Sequence, residues 1–324
     1  MIITRTPYRV SFLGGGSDIA GFYETTPGMV ISTSIQQYMY ISVHPSFNPR
    51  ETRVKYSKIE SVENIEDLEH PIVKAVLRKL NVQGVEISSI GDIPAQTGLG
   101  SSSSFAVGLL QAIHAYKSEI VTKEELAKEA CEIEIEILRE PIGKQDQYAA
   151  AYGGLKQFTF NSNGSVDVDP ILISDVKRKE LEESLLLFFT GVTRSASKVL
   201  EEQSKNIATD QDKAQALRKM VSMVPDLRAE LEKGNIDSLG RYLDEGWEIK
   251  RRLASSISNP DIDETYKKAR SLGAVGGKIL GAGGGGFFLL YCPKAKQEHL
   301  IKELGLKHLP VKFDDEGAQI VYSA

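Results

Sequence analysis

Two glycine-rich segments and one isolated acid hold most of the chemistry available to this 324-residue sequence. The sharpest is Pro94-Ala95-Gln96-Thr97-Gly98-Leu99-Gly100-Ser101-Ser102-Ser103-Ser104, set between a strand-like run and an apolar helical one. Glycines at 98 and 100 permit positive φ and let backbone N–H groups crowd toward one point, where the following helix adds the positive end of its dipole. Such a cradle suits an anion, above all a phosphate chain, and the serine hydroxyls are within reach of phosphate oxygens or a metal ion. The plainer reading is a helix N-cap, but one serine would serve for that, and two glycines with four serines exceed the need. No lysine follows the last glycine, so this is not a Walker A loop, and the spacing is not that of a dinucleotide-binding turn either.

The second glycine run, Gly281 to Gly286, is interrupted only by Ala282. A tight hairpin needs two or three glycines; five cost folding entropy without packing in return, so another segment or a ligand must come close. Asp146, in Gly143-Lys144-Gln145-Asp146-Gln147-Tyr148, is an acid just past the end of a long helix, where a substrate hydroxyl could reach it. Phosphoryl transfer needs chiefly positioning and charge neutralisation, and a carboxylate serves the nucleophile. Taken alone, Asp146 would be read as the N-cap of the segment through Ala151. Lys144 is a candidate cation beside it.

Elements to position these groups are legible in the hydrophobic pattern. Short alternating runs over the first 56 or so residues (Ile2 to Thr6, Arg9 to Leu13, Val30 to Thr33, Met39 to His44, Arg53 to Tyr56) predict strands. Helical spacing follows from Glu69 to Leu80, then a strand from Val85 to Ile90 that delivers the chain into the Gly/Ser turn. Ser103 to Tyr116 and Thr122 to Arg139 are predicted helices, the second opened by a capping box of Thr122 and Glu125 and stopped by Pro141 and Gly143. Strands are expected at Leu155 to Phe160, Val166 to Val168 and Leu185 to Thr190, helices over 196–233 and 236–254. The final stretch alternates helix and strand in the manner of an α+β sandwich. The length favours two domains, divided between Asn161 and Lys177 and written here as 1–170 and 171–324, with a cleft between them.

Composition narrows the partners. With 41% apolar and 26% charged residues the chain should build an ordinary globular core. A net charge of −5 argues against a general nucleic-acid or acidic-membrane partner, so an anionic substrate must be met by local charge. Cys131 and Cys292 are far apart and suggest neither disulfide nor zinc site, as expected of a cytoplasmic protein. The N-terminus does not read as a signal peptide, and no apolar stretch approaches a membrane span. A homodimer stays open.

The Pro94 to Ser104 segment resembles the second motif of the GHMP kinases, the superfamily named for galactokinase, homoserine kinase, mevalonate kinase and phosphomevalonate kinase. Thr6-Pro7-Tyr8-Arg9-Val10-Ser11-Phe12-Leu13-Gly14-Gly15-Gly16-Ser17-Asp18 resembles the family's N-terminal motif, and Lys278 to Gly286 its C-terminal glycine-rich motif. Three motifs in the right order over nearly the whole chain imply the two-domain α+β fold of that superfamily. Its N-terminal domain is ribosomal protein S5 domain 2-like and its C-terminal domain a ferredoxin-like α/β sandwich. The resemblance implies an ATP-dependent kinase in which Gly98, Leu99, Gly100, Ser101, Ser102, Ser103 and Ser104 hold the ATP phosphates. Asp146 then accepts or orients the substrate hydroxyl proton, with Arg9 as its cation and Lys144 second. Mg²⁺ would be held by Ser102 and by one of Glu132, Glu134 and Glu136, of which Glu134 matches the family. Gly14, Gly15, Gly16, Ser17 and Asp18 would contact the sugar, with Gly284 and Gly285 shaping the substrate side.

Within the family, Leu-Gly-Gly-Gly-Ser-Asp stands where galactokinases carry Ile-Gly-Glu-His-Thr-Asp. The whole set, with Phe189 to Ala196, resembles the D-glycero-D-manno-heptose 7-phosphate kinases, which phosphorylate the anomeric hydroxyl on the route to nucleotide-activated heptose. A substrate that already bears a phosphate needs a cation at its far end; Arg194, beside Thr193, Ser195 and Ser197, is the candidate clamp, with a surface helix-start residue as the equal alternative. A fucokinase-type or other sugar kinase, a mevalonate-pathway enzyme and a catalytically silent sugar-sensing paralogue stand as alternatives.

Overall fold

The computed structural model describes every residue except Arg194, Ser195 and Ala196, so the candidate clamp Arg194 lies outside the described residues. The first half runs β1 (Ile2–Leu13), α1 (Ala20–Tyr23), β2 (Gly28–Pro45), β3 (Thr52–Lys55), β4 (Ile59–Val62), α2 (Pro71–Leu80) and β5 (Val85–Gly91). It continues with α3 (Ser101–Tyr116), α4 (Lys123–Cys131), α5 (Gln145–Tyr152), β6 (Leu155–Phe160) and β7 (Val166–Pro170). The second half opens with α6 (Asp175–Ser184) and β8 (Leu185–Phe189). Five helices follow: α7 (Ser197–Thr209), α8 (Gln211–Ser222), α9 (Val224–Glu232), α10 (Ser238–Lys250) and α11 (Pro260–Ser271). It closes with β9 (Gly276–Ile279), β10 (Phe287–Tyr291), α12 (Lys294–Leu304), β11 (His308–Pro310) and β12 (Gln319–Ser323).

The first sheet has the order β12-β1-β2-β5-β3-β4, with β6 joined to β2 and β7 to β6. Its spine is β2, a single strand where the sequence suggested two runs. It stays continuous because β6 takes its first half, β5 its second, and β1 runs beside both. The β1–β2 register shifts between Pro7 and Tyr8, where a proline lacking an N–H can be absorbed at a ladder irregularity. One face of this sheet packs on α2, α3, α4 and α5 around residues such as Ile41, Leu109 and Ala150. The other face packs Tyr8, Phe12 and Ile35 against the second half, whose core includes Trp247, Leu243 and Phe288.

The second sheet, ordered β11-β8-β10-β9, is antiparallel throughout. Its central strands are almost wholly buried, which explains the unbroken apolar runs Leu185 to Phe189 and Phe287 to Tyr291.

Two further expectations change. The predicted long helix from Thr122 keeps its capping box, with both reciprocal hydrogen bonds present, but α-helix gives way at Cys131 to a π-helical stretch over Glu132–Ile137. The wider turn, an uncommon feature often found at functional sites, sets the Glu/Ile alternation at a pitch that buries Ile133 and Glu134 together. The division at residue 170 is also crossed: residues 319–323, assigned to the second part, form β12, which pairs antiparallel with β1 at the edge of the first sheet. No helix of the described residues is long and apolar enough to cross a membrane.

Candidate active site

A cleft of about 660 Å³ lies between the two halves, and the glycine-rich segments converge on it. Helix α3 starts at Ser101 behind Gly100, whose φ is 77°, and no side chain caps it. The serine-cap reading therefore fails, and the first-turn N–H groups are left uncapped by side chains, an arrangement that can take an anion. Gly98, at φ 83°, explains its own identity: a Cβ there would lie 2.5 Å from the Leu280 carbonyl oxygen. In return, a Cβ on Gly281 would lie 2.6 Å from Gly98 Cα, and one on Gly286 2.3 Å from the Thr97 carbonyl oxygen. The two glycine runs thus lie backbone to backbone, joined by the Phe287 N–H donating to Thr97 O at 3.2 Å. Ser101, Ser102 and Ser103 line the cleft. Ser104 instead donates its hydroxyl to Pro7 O at 2.9 Å, and Leu99 is buried in the core while its carbonyl accepts the Arg9 N–H.

Beside the cradle, Arg9 and Asp146 form a forked pair, Nε to Oδ1 and Nη2 to Oδ2, both at 2.7 Å. Arg9 also donates to Gly98 O at 2.6 Å, so one guanidinium ties the acid to the glycine-serine loop. Asp146 sits in the first turn of α5 without capping it, which removes the N-cap alternative. Each of its oxygens keeps a lone pair free for a substrate hydroxyl. On the far side of the loop, Ser102 Oγ donates to Glu134 Oε1 at 2.6 Å and Gln147 Nε2 to Glu134 Oε2 at 2.7 Å. Burial pushes the Glu134 carboxyl above its ordinary range, opposed by hydrogen bonds from Ser102, Ser103 and Gln147. Mg²⁺ takes oxygen ligands and needs only one or two from protein when phosphates supply the rest, so this hydroxyl–carboxylate pair fits it. No cluster of three or more His, Cys, Asp or Glu side chains that could hold a metal exists among the described residues.

The side of the cleft around Asp18 is built differently. Asp18 and Gly16 line the cleft, and Gly15 lies beside it. The Asp18 carboxylate is wrapped by backbone, accepting from the N–H of Gly16 at 2.9 Å and of Gln145 at 3.3 Å; a Cβ on Gly143 would lie 1.9 Å from its Oδ2. Burial first, then the Asp146 charge, raises the Asp18 carboxyl, and those N–H groups work against the rise. Ser17 pins the loop through Met29 N and O, and Gly14 packs against that same strand. Gly285 lines the cleft, whereas Gly284 spends its N–H on Ile257 O at 2.9 Å. Lys144 is turned away: its Nζ donates to Gly164 O at 2.8 Å and lies 4.9 Å from the centre of the Tyr23 ring, the better-satisfied place for an ammonium. An aromatic end, with His70 stacked on Phe105 at 4.8 Å and Tyr56 edge-on to His70, completes the cleft.

Sequence reasoning missed Lys250, Lys278, Gln203 and Gln147. Lys250 closes the stripe Leu239, Leu243, Trp247 on α10, whose first three members are fully buried, so its helix face aims it inward. It donates to Gly281 O at 2.7 Å. Burial first, then Arg9, pushes its ammonium down to about 8, while Asp18 and Asp146 oppose the fall. Lys278 lies behind it, 3.4 Å from Ser11 Oγ, and is driven well below its ordinary value by burial and by Lys250 and Arg9.

Comparison with known proteins gives the family. Residues 68–154 match the model of the GHMP kinases N terminal domain and residues 227–310 that of the GHMP kinases C terminal region. A D-glycero-alpha-D-manno-heptose 7-phosphate kinase from Campylobacter jejuni is 31% identical over 94% of this chain and 93% of its own. The chain belongs to the GHMP kinase family. It is similar also to a galactokinase from Pyrococcus furiosus, 26% identical over 91% of this chain and 90% of that protein. Among solved structures, a D-glycero-D-manno-heptose 1-phosphate kinase from Bacteroides thetaiotaomicron superposes with a TM-score of 0.82 at 27% identity, with complete coverage of both chains. A GHMP kinase with such relatives is an ATP-dependent sugar kinase with the two-domain fold of its family.

Proposed function

We propose that this kinase transfers the γ-phosphoryl group of ATP to the anomeric hydroxyl of D-glycero-D-manno-heptose 7-phosphate, giving the 1,7-bisphosphate for nucleotide-activated heptose. The observation that carries the reading is the Arg9–Asp146 pair held against the uncapped start of α3, with acid and phosphate cradle joined by one guanidinium. Its substrate rests on the Campylobacter heptose 7-phosphate kinase, similar over nearly the whole of both chains. The name of the Bacteroides relative puts the existing phosphate at the other end of the heptose, so substrate orientation is the point to test.

In this reading the first-turn N–H groups of α3 with Ser101 and Ser103 hold the phosphates, and the two glycine runs keep that cradle rigid. Ser102 and Glu134 would hold Mg²⁺, which neutralises charge on the transferring group. Asp146 takes the hydrogen bond of the attacking hydroxyl and aligns it, while Arg9 fixes the carboxylate and offsets its charge. The backbone-wrapped Asp18 orders the Gly14 to Ser17 loop against the sugar. The aromatic end with His70 and Phe105 takes the base of the nucleotide. The protein acts in this account as a cytoplasmic enzyme with a small sugar phosphate as its partner.

The test is ADP release with Mg-ATP over a panel of heptose 7-phosphate, heptose 1-phosphate, fucose, galactose and mevalonate. Turnover of the 7-phosphate alone is expected. Turnover of the 1-phosphate alone would reverse the substrate in the cleft, and turnover of an unphosphorylated sugar would make this a fucokinase-type or other sugar kinase.

A further inference from the structure

The helical half brings to the cleft two polar side chains that the phosphate machinery does not use. Gln203, on α7, is 1% exposed and lines the cleft, and its Nε2 has no hydrogen-bond partner among the described residues. That nitrogen lies 2.2 Å from where a Cβ on Gly16 would sit, so it is pressed against the loop between β1 and α1. Lys250, at the end of α10, uses one N–H on Gly281 O and keeps two more. Its Nζ lies 3.8 Å from the Cβ position of Gly15, and Gln145 Nε2 lies 3.7 Å from the same point. Gln145 Oε1 is buried and likewise without a partner among the described residues. A spare amide donor, a spare amide acceptor and a partly used ammonium therefore surround the Gly15-Gly16 backbone, on the side of the cleft that holds Asp18.

Buried polar atoms without partners are costly to maintain, and a group of them in a cleft marks the place where a ligand supplies what is missing. A sugar hydroxyl both donates and accepts, and so answers each of the three. An acceptor-only group such as a carboxylate would leave Gln145 Oε1 unmatched and would face the Asp18 and Asp146 charges. We infer that Gln203 and Lys250, with Gln145, hold the non-reacting hydroxyls of the acceptor sugar and so select a polyhydroxylated substrate over an acidic, acyclic one. The inference rests on the sugar-kinase reading and deepens it: α7 and α10, outside all three glycine-rich motifs, carry the acceptor specificity. Gly16 is part of the same device, because any side chain there would displace the Gln203 amide.

The experiment compares wild type, Gln203→Leu and Lys250→Met in steady-state kinetics with the preferred sugar and with its monodeoxy analogues. Each substitution should raise the sugar KM about 10- to 100-fold, the worth of a lost buried hydrogen bond, with a smaller change in kcat and none in the KM for ATP. One deoxy sugar should lose affinity with wild type but not with Gln203→Leu, because the partner is already gone. If both variants keep the wild-type sugar KM, or if the deoxy and side-chain losses simply add, the assignment of these residues is wrong while the kinase reading stands. A wild-type protein that phosphorylates mevalonate and no sugar overturns both. Gln203→Leu replaces an unpaired amide with a buried apolar group and is expected to fold, so it carries the test even if Lys250→Met is not recovered.

Discussion

The two ends of the cleft are made of different materials. At the end proposed for the phosphates the groups on offer are backbone: N–H groups of one helix start, held by the contacts of Gly98 with the Leu280 carbonyl and of Gly286 with the Thr97 carbonyl. At the acceptor end they are side chains taken from separated elements: Arg9 from β1, Asp18 from the loop after it, Gln145 and Asp146 from α5, Gln203 from α7 and Lys250 from α10. A backbone cradle has to be written as a contiguous run, because only residues next to one another in sequence can point successive N–H groups at one spot. A side-chain pocket has no such requirement and can be changed one residue at a time. In the function proposed above, the nucleotide phosphates take the first end and the acceptor sugar the second.

The largest effect should come where the two ends meet. Asp146→Asn keeps the shape and one hydrogen bond to Arg9 but removes the charge, and kcat is expected to fall about 10²- to 10⁴-fold. Nucleotide affinity, followed with a fluorescent ATP analogue, should change little; an equal fall in affinity would mean that the ends are not separable. Gly98→Ala strikes the backbone end alone. Its Cβ would meet the Leu280 carbonyl and would require φ near 83°, so a loss of about 2–4 kcal/mol is expected, visible in thermal unfolding together with weakened ATP binding. Wild-type stability in that variant would show that the glycine runs can part freely.

A smaller effect, of opposite sign, is expected at the acceptor end. The Lys250 ammonium titrates near 8 in the folded protein against an ordinary 10.5, so at neutral pH the fold holds a buried charge that burial and Arg9 disfavour. Between those values the unfolded chain binds more protons than the folded one, and stability rises with pH; the full penalty is present below about 8 and is gone above the ordinary value. Lys250→Met should therefore stabilise the ligand-free protein at pH 7 by on the order of 1–3 kcal/mol, with the gain shrinking as pH rises from 8 toward 10. The charges that face Lys250 are Arg9 from β1, Asp18 from the loop, Asp146 from α5 and, behind it, Lys278 from β9, so the difference between the two proteins, not either curve alone, is the quantity to follow. A variant less stable than wild type at every pH would mean that Lys250 is a structural tie through Gly281, not a group kept for the substrate.

Much of the glycine-lined end of the cleft was legible beforehand. Gly98, Gly100 and the serines announced an anion cradle, and the surplus of glycine over 281–286 announced a close approach, met by the contact of Gly281 with Gly98. Asp146 and Glu134 were within reach through the resemblance, since Asp146 taken alone reads as an N-cap and Glu134 is one of three alternating glutamates; both lie in the cleft, Glu134 against Ser102. Lys144, one residue from Gln145, was not distinguishable by sequence, since a quarter turn decides whether an ammonium meets Asp146 or the Tyr23 ring. Gln203 sits in a mixed-charge helix where a polar residue is ordinary. Lys250 left one trace, its continuation of the Leu239, Leu243, Trp247 stripe.

Local sequence by itself settled many of the helices and strands, the capping box at Thr122, the glycine-serine turn before α3 and the need for something to lie against the second glycine run. These depend on φ/ψ preference, hydrophobic period and hydrogen bonding among near neighbours, all properties of a few consecutive residues. Only the tertiary structure decided that β12 closes the sheet that β1 opens, that the helix after Thr122 widens into a π-turn to bury Glu134, and that Gln203 and Lys250 share a cleft with Gly15 and Gly16. Each of those outcomes is fixed by how two distant surfaces pack, where a shift of an ångström or a rotation of one helix face exchanges one neighbour for another.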